Sequence, residues 1–215
     1  MCIKTMKYPE EPNALRKFVM QQRKSIPFRK RQQKFENILH TLYQMPAFRE
    51  AKHILAYYGK VETGEFDTVP LLNEILRRGK SLYLPRCSID NTIDLNIYQV
   101  WDIENEVEKG MFGLMEPIRK PEYSADIREI DLAIVPGLVF DRNGLRLGYG
   151  KGYYDTLLGR ASKESHNFQG KGFLKKVALA MEISVVPFYL KKKPHDILMD
   201  VLITEQRKFV FNPQK

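Results

Sequence analysis

Five short apolar runs set the architecture: HILAYY at 53–58, SLYLP at 81–85, the stretch up to Pro136 in DLAIVPGLVF at 131–140, KVALAM from Lys176, and DVLITE at 200–205. Each run is apolar on consecutive residues and too short for a typical helix. That is the pattern of a strand covered on both faces. Between the first two runs lie the loop GKVETGEFD and the helical stretch TVPLLNEILRRG at 68–79, with Asp67 or Thr68 at its start and Gly79 just past its end. Strand, loop, helix and strand over about 30 residues make a βαβ unit. DLNIYQV at 94–100 alternates like a further strand, and YYDTLLGRA at 153–161 reads as a helix. The pattern predicts an α/β fold with a mostly parallel sheet and helices on both faces.

The N-terminal segment differs. Residues 1–12 read as a tail ending at Pro12, and Asn13 is placed to cap the helix that follows. Leu15, Phe18, Val19 and Ile26 trace its apolar face, with Gln22 as a polar break, and Pro27 stops it. A second helix is expected over Phe28–Met45, interrupted by Pro46. The chain of 215 residues suits one domain, drawn over 13–205 between tails at 1–12 and 206–215, with DVLITE as the last strand. The polar segment 161–172 reads as a mobile surface loop.

The net charge of +9 is concentrated at the start. Residues 1–34 carry ten Lys or Arg against two Glu, whereas residues 35–215 carry 25 against 24. A basic N-terminal helix steers polyanions, and a small polyphosphate suits it as well as nucleic acid does. A solvated helix face is the plain alternative. The excess ends near residue 34, and there are no interleaved aromatic and basic strands of an RNA-reading type, so no nucleic-acid partner is expected. No stretch has the length of an apolar membrane span or signal peptide, and the only cysteines are Cys2 and Cys87. The expectation is a cytoplasmic protein with reduced thiols.

The chemistry gathers in GLRLGYGKGYYD at 144–155. Gly148, Gly150 and Gly152 let the backbone approach a ligand and adopt positive φ. Their amides, with Tyr149 between them, and the N-terminal amides of the next helix form an anion-binding concavity. Lys151 and Arg146 are suited to phosphate. Asp155, about one turn beyond Lys151, suits Mg²⁺ carried by phosphates. The spacing is neither the dinucleotide fingerprint nor a Walker A loop, since Gly152 stands where a hydroxyl would follow Lys151. A purely structural glycine turn remains the other reading.

PGLVFDRNGLRLGYGKGYYD at 136–155 resembles the signature of the 5-formyltetrahydrofolate cyclo-ligase family. NALRKFVMQQR at 13–23, GEFDT at 64–68, RGKSLYLPR at 78–86, MEP at 115–117 and HDILMDVLITE at 195–205 are similar to other segments of that family, in the same order. The resemblance implies a cytosolic monomer with a three-layer αβα sandwich and ATP- and Mg²⁺-dependent conversion of 5-formyltetrahydrofolate to 5,10-methenyltetrahydrofolate. It implies that Arg146 and Lys151 are catalytic and that Arg16, Lys17 and Arg23, with Gly148–Gly152, meet ATP. Asp155 would hold Mg²⁺. Glu65 would recognise folate, with Tyr153 and the apolar Met111, Phe112 and Met115 lining the pterin slot, although core packing accounts equally for the last three. Tyr154 is expected to pack inward. Thr156 stands where family members often carry Arg.

Trp101 is read as structural, and His195 and Asp196 as a packing corner. His53 and His166 carry no catalytic expectation. KKKPHD at 191–196 adds charge that would suit an anionic polyglutamate tail on the substrate. The rival readings are another ATP-dependent phosphoryl-transfer enzyme on the same scaffold and a basic nucleic-acid-binding protein.

Overall fold

The computed structural model describes residues 7–90, 92–164 and 174–211. Helices α1 (Pro12–Ser25), α2 (Phe28–Gln44) and α3 (Pro46–Glu50) lead into strand β1 (His53–Leu55). Helix α4 (Val69–Arg77) is followed by β2 (Ser81–Cys87), β3 (Leu95–Val100), a hairpin of β4 (Val107–Lys109) and β5 (Met115–Pro117), and β6 (Ser124–Ala125). Strand β7 (Leu132–Val135) precedes a second hairpin, β8 (Val139–Phe140) and β9 (Arg146–Leu147). Helix α5 (Tyr153–Glu164) and strands β10 (Lys175–Leu179), β11 (Val201–Ile203) and β12 (Lys208–Val210) follow. Prolines partition the first helices. Pro12 and Pro46 sit in first turns and Pro27 immediately precedes α2, positions where a missing N–H costs little.

Eight strands form one sheet in the order β12-β11-β10-β7-β1-β2-β3-β6. The five central strands, β11 to β2, are parallel. Strand β12 is antiparallel at one edge, and β3 and β6 each reverse direction at the other. Successive residues of each central strand enter different cores. Ile54, Ile134 and Val177 pack with Phe35, Ile38 and Leu42 of α2 and Leu71, Leu72 and Ile75 of α4. Leu55, Ala133 and Ala178 pack with Leu157 and Leu158 of α5. These two cores produce the unbroken apolar runs. Ile54 and Leu55 are wholly buried on opposite faces, and each contributes about 2 kcal/mol of transfer free energy.

The connections create a crevice. Helix α4 joins β1 to β2 on one face, and α5 lies between β7 and β10 on the other. Strands β1 and β7 are neighbours, so the chain leaves their C-terminal ends in opposite directions. Ligands of open α/β sheets settle at such a divergence.

Several boundaries differ from the sequence reading. Pro12 is already helical, and Glu11 caps α1 in place of Asn13, accepting from the Asn13 and Ala14 amides at 2.9 and 2.7 Å. The expected tail is packed at Tyr8, whose ring stands edge-on to Phe18 and Phe188. The expected C-terminal tail contains β12, so DVLITE is not the last strand. Its three residues are too few to show a period, and Lys208 and Val210 face solvent. Residues 161–164 of the expected loop form the last turn of α5, and residues 165–172 lie outside the described residues. Among the described residues no helix is long and apolar enough to cross a membrane.

Candidate active site

The loop after β1 is held from three sides. The Thr68 hydroxyl donates to the Tyr57 carbonyl and accepts from the Gly59 amide, both at 2.8 Å. Phe66 stacks on Phe35 of α2 with ring centroids 4.6 Å apart. Gly64 takes φ 87 where the loop meets α1, and a Cβ there would stand 2.9 Å from the Arg23 Cβ. These contacts present Glu65, whose Oε2 accepts the Lys60 amide at 2.7 Å. A Cβ on Gly59 would lie 2.2 Å from the Phe66 carbonyl oxygen, which is backbone and cannot rotate away. Gly59→Ala is therefore expected to cost about 1–3 kcal/mol of stability in urea unfolding and to displace Glu65. An unchanged unfolding midpoint would contradict this packing.

The glycine-rich loop is delivered by the β8–β9 hairpin, not directly by a central strand. Asp141 closes that hairpin: Oδ1 accepts from the Asn143 and Leu145 amides at 2.8 and 2.9 Å, and Oδ2 from Leu190 at 3.0 Å. Gly150 and Gly152 take φ 99 and 77, a region that disfavours other residues. The Thr156 amide then donates to the Gly152 carbonyl at 3.0 Å, opening α5.

The basic helix reaches this loop. Leu15 and Val19 of α1 pack on Leu138, Val139 and Val186. Arg16 Nε donates to the Gly148 carbonyl at 2.7 Å and Nη1 to Asn13 Oδ1 at 2.8 Å. Arg23 is buried, at 4% exposure, and staples α1 to the end of β7. Its Nε donates to Ser184 Oγ at 2.9 Å, and its Nη2 to the Gly137 and Leu138 carbonyls at 2.7 and 2.9 Å. Burial pushes its pKa down, opposed by Glu65, Tyr149 and Tyr57. Lys17 is exposed and lies on the side of Glu11, whose pKa it helps to lower after the capping amides and Arg16. Lys151 is exposed, with no hydrogen-bond partner among the described residues.

Arg146 and Asp155 are paired. Arg146 is 6% exposed; its Nη1 donates to Asp155 Oδ1 at 2.8 Å and to the Ile197 carbonyl at 3.3 Å, while Nε is buried without a partner. Asp155 Oδ1 also accepts the Ile197 amide at 3.1 Å, and Oδ2 has no hydrogen-bond partner among the described residues. Among the described residues no three His, Cys, Asp or Glu groups gather into a metal cage. The donor set fits Mg²⁺ as an ion carried by phosphates and touched by one carboxylate, not as a protein-held ion.

On the other side, the Tyr149 hydroxyl donates to Glu65 Oε1 and lies 3.3 Å from Thr63 Oγ1. This bond joins the loop after β1 to the glycine-rich loop. Lys60 Nζ donates to the Phe112 carbonyl at 2.6 Å and ties in the β4–β5 loop, where Phe112 takes the left-handed φ of 56. Met111, Phe112 and Met115 are exposed there, not packed into a core. Tyr153 lies near Cys87 and Glu116; burial first, then these groups, raises its pKa. Burial and a hydrogen bond to Glu116 push the Cys87 thiol up to about 12, so it is inert at neutral pH. Tyr154 packs inward, and its buried hydroxyl has no hydrogen-bond partner among the described residues.

Lys60, Thr63, Tyr57 and Glu116 escaped the sequence reading. Lys60 and Thr63 stood within the loop beside Glu65 and could have been drawn from that proximity. Trp101 lies at the far end of the sheet: it follows β3, whose last residue pairs with Leu82 near the start of β2. His53, at the start of β1, shares that far end and bonds the Tyr83 hydroxyl at 3.0 Å. His195 is exposed beside Asp196, whose Oδ2 accepts the Lys193 amide at 2.7 Å. His166 lies outside the described residues.

Comparison with known proteins gives the same direction. The model of the 5-formyltetrahydrofolate cyclo-ligase family matches residues 9–205. The mitochondrial 5-formyltetrahydrofolate cyclo-ligase of Arabidopsis thaliana is 33% identical over 192 residues, 81% of this chain, which spans 66% of the plant protein's length. The cyclo-ligase of Mycolicibacterium smegmatis is 28% identical over 204 residues, 94% of this chain and 97% of that one. The solved 5,10-methenyltetrahydrofolate synthetase of Aquifex aeolicus superposes with a TM-score of 0.76 at 31% identity, covering 95% of this chain and 94% of its own. With nearly the whole described fold matched in both sequence and architecture, this chain belongs to the 5-formyltetrahydrofolate cyclo-ligase family.

Proposed function

We propose that this protein converts 5-formyltetrahydrofolate to 5,10-methenyltetrahydrofolate, with ATP going to ADP and phosphate. The formyl oxygen attacks the γ-phosphorus and ADP departs, leaving an iminium phosphate at N5. N10 then attacks that carbon and loses its proton, and phosphate leaves with the former formyl oxygen as the second ring closes. A formamide oxygen is a poor leaving group, and phosphorylation makes its departure feasible. The protein's part is alignment and charge stabilisation.

The observation that carries this reading is the Tyr149–Glu65 bond, because it puts the phosphate-side loop and the folate-side carboxylate next to each other. Lys151, Arg16 and Lys17 supply mobile cations to the phosphates, and Gly148–Gly152 supply amides. Arg146 meets the same group through Nη2, which makes no hydrogen bond among the described residues, while Nη1 stays on Asp155. Asp155 would hold Mg²⁺ arriving with the phosphates, and the ion would supply neutralising charge to the transferring group. Three of the five Arg23 N–H donors, those on Nε and Nη2, go to protein oxygens, so we assign it first to holding α1 in place. Glu65 accepts donors of the folate, and Met111, Phe112 and Tyr153 flank the pterin. The test is spectroscopic: protein, 5-formyltetrahydrofolate and Mg-ATP should generate the near-ultraviolet band of the methenyl product. Growth of that band without ATP, or none with it, contradicts the assignment.

The basic run at 191–193 leads towards Ile197, whose backbone bonds Arg146 and Asp155. We accordingly expect a lower KM for a pentaglutamate substrate than for the monoglutamate, with the difference shrinking in high salt. Equal KM values would remove that role.

A further inference from the structure

We propose that the Tyr149 hydroxyl is a latch coupling the two substrates: it closes on Glu65 in the free protein and leaves when a nucleotide phosphate binds. This rests on the folate and nucleotide assignment above. Each Glu65 oxygen already accepts one hydrogen bond, Oε2 from the Lys60 amide at 2.7 Å and Oε1 from Tyr149. The Lys60 bond lies inside a loop pinned by Thr68 and Phe66. The Tyr149 bond comes from the phosphate-side loop, 84 residues away in sequence. A folate donor therefore competes with Tyr149 for Oε1 and binds it more strongly once Tyr149 has left.

The surroundings allow that departure. Tyr149 is 50% exposed and flanked by Gly148 and Gly150, and Gly150 already holds a φ of 99. Neither flanking residue has a Cβ, so backbone rotation there can reorient Tyr149 without a clash from its neighbours' side chains. One further brace fixes the loop: Arg16 Nε donates to the Gly148 carbonyl, and its guanidinium lies against Gly150. A guanidinium bonds phosphate more strongly than a neutral carbonyl. A nucleotide that recruits Arg16 thus withdraws the brace from the residue next to Tyr149. Burial and the adjacent Glu65 raise the Tyr149 pKa, so the hydroxyl remains a donor across the physiological range. Tyr149 is a positioning residue: it sets when Glu65 is available and takes no part in bond making. Coupling of this kind is reciprocal, so folate must favour nucleotide binding by the same factor.

The experiment is calorimetric titration of 5-formyltetrahydrofolate, with and without a non-hydrolysable ATP analogue and Mg²⁺, into the wild-type protein and Tyr149→Phe. The substitution keeps the ring and removes only the donor. In the wild type the analogue should tighten folate binding about tenfold, the scale of one hydrogen bond to a charged group. Tyr149→Phe should bind folate about tenfold tighter without nucleotide, with little further gain from the analogue. Equal enhancement in both proteins overturns the latch and leaves the functional assignment standing. A wild-type protein that binds no folate under either condition overturns both.

Discussion

Lys151→Ala is expected to lower kcat/KM for ATP about a hundredfold, the usual cost of removing one preorganised charge from a developing oxyanion. Lys151 sits on the glycine-rich loop, exposed and without a partner among the described residues. Its charge is therefore available to a ligand. The same freedom means that it contributes little to folding, so the unfolding midpoint should move by less than about 0.5 kcal/mol. The separation of the two readouts makes the test specific. Lys151→Arg should recover part of the activity, since it keeps the charge but changes the donor geometry. Steady-state kinetics with unchanged kcat and ATP KM would remove Lys151 from the site.

Arg146→Ala should behave in the opposite way, with a large loss of stability. Arg146 is buried against Asp155 at 2.8 Å, with side-chain exposures of 3% and 19%. Removing the guanidinium leaves a carboxylate half-enclosed and uncompensated, with the Ile197 carbonyl also deprived of a donor. Breaking such a pair from one side costs about 3 kcal/mol, roughly 6–12 °C in melting temperature for a domain of this size. The double variant Arg146→Ala/Asp155→Ala should recover part of that loss, because no charge is then stranded. Strictly additive losses would contradict an energetic pairing. The same pair ties the β8–β9 hairpin to the start of α5.

The layers and most strands were legible because two-sided burial leaves an uninterrupted apolar run, as in Leu132–Val135. Strand β12 was not, because Lys208 and Val210 face solvent at the sheet edge. The place of the glycine-rich loop before a helix was legible from its spacing. Its delivery by a hairpin did not show, because β8 and β9 have only two residues each. Arg16 and Arg23 looked equivalent at seven-residue spacing on α1. Tertiary packing separates them: Arg23 meets carbonyls at the end of β7, whereas Arg16 meets the loop. Likewise, nothing local in the sequence links Tyr149 to Glu65 or Lys60 to Phe112. Those contacts exist only because β1 and β7 are neighbours and the β4–β5 hairpin folds over the same end of the sheet.

The most direct measurement is a crystal structure of this protein with Mg²⁺ and a non-hydrolysable ATP analogue. The account predicts the terminal phosphate within hydrogen-bond distance of Lys151 Nζ and of amides between Gly148 and Gly152, with Arg16 turned from the Gly148 carbonyl towards it. A terminal phosphate bound elsewhere, beyond the reach of both Lys151 and those amides, would contradict it.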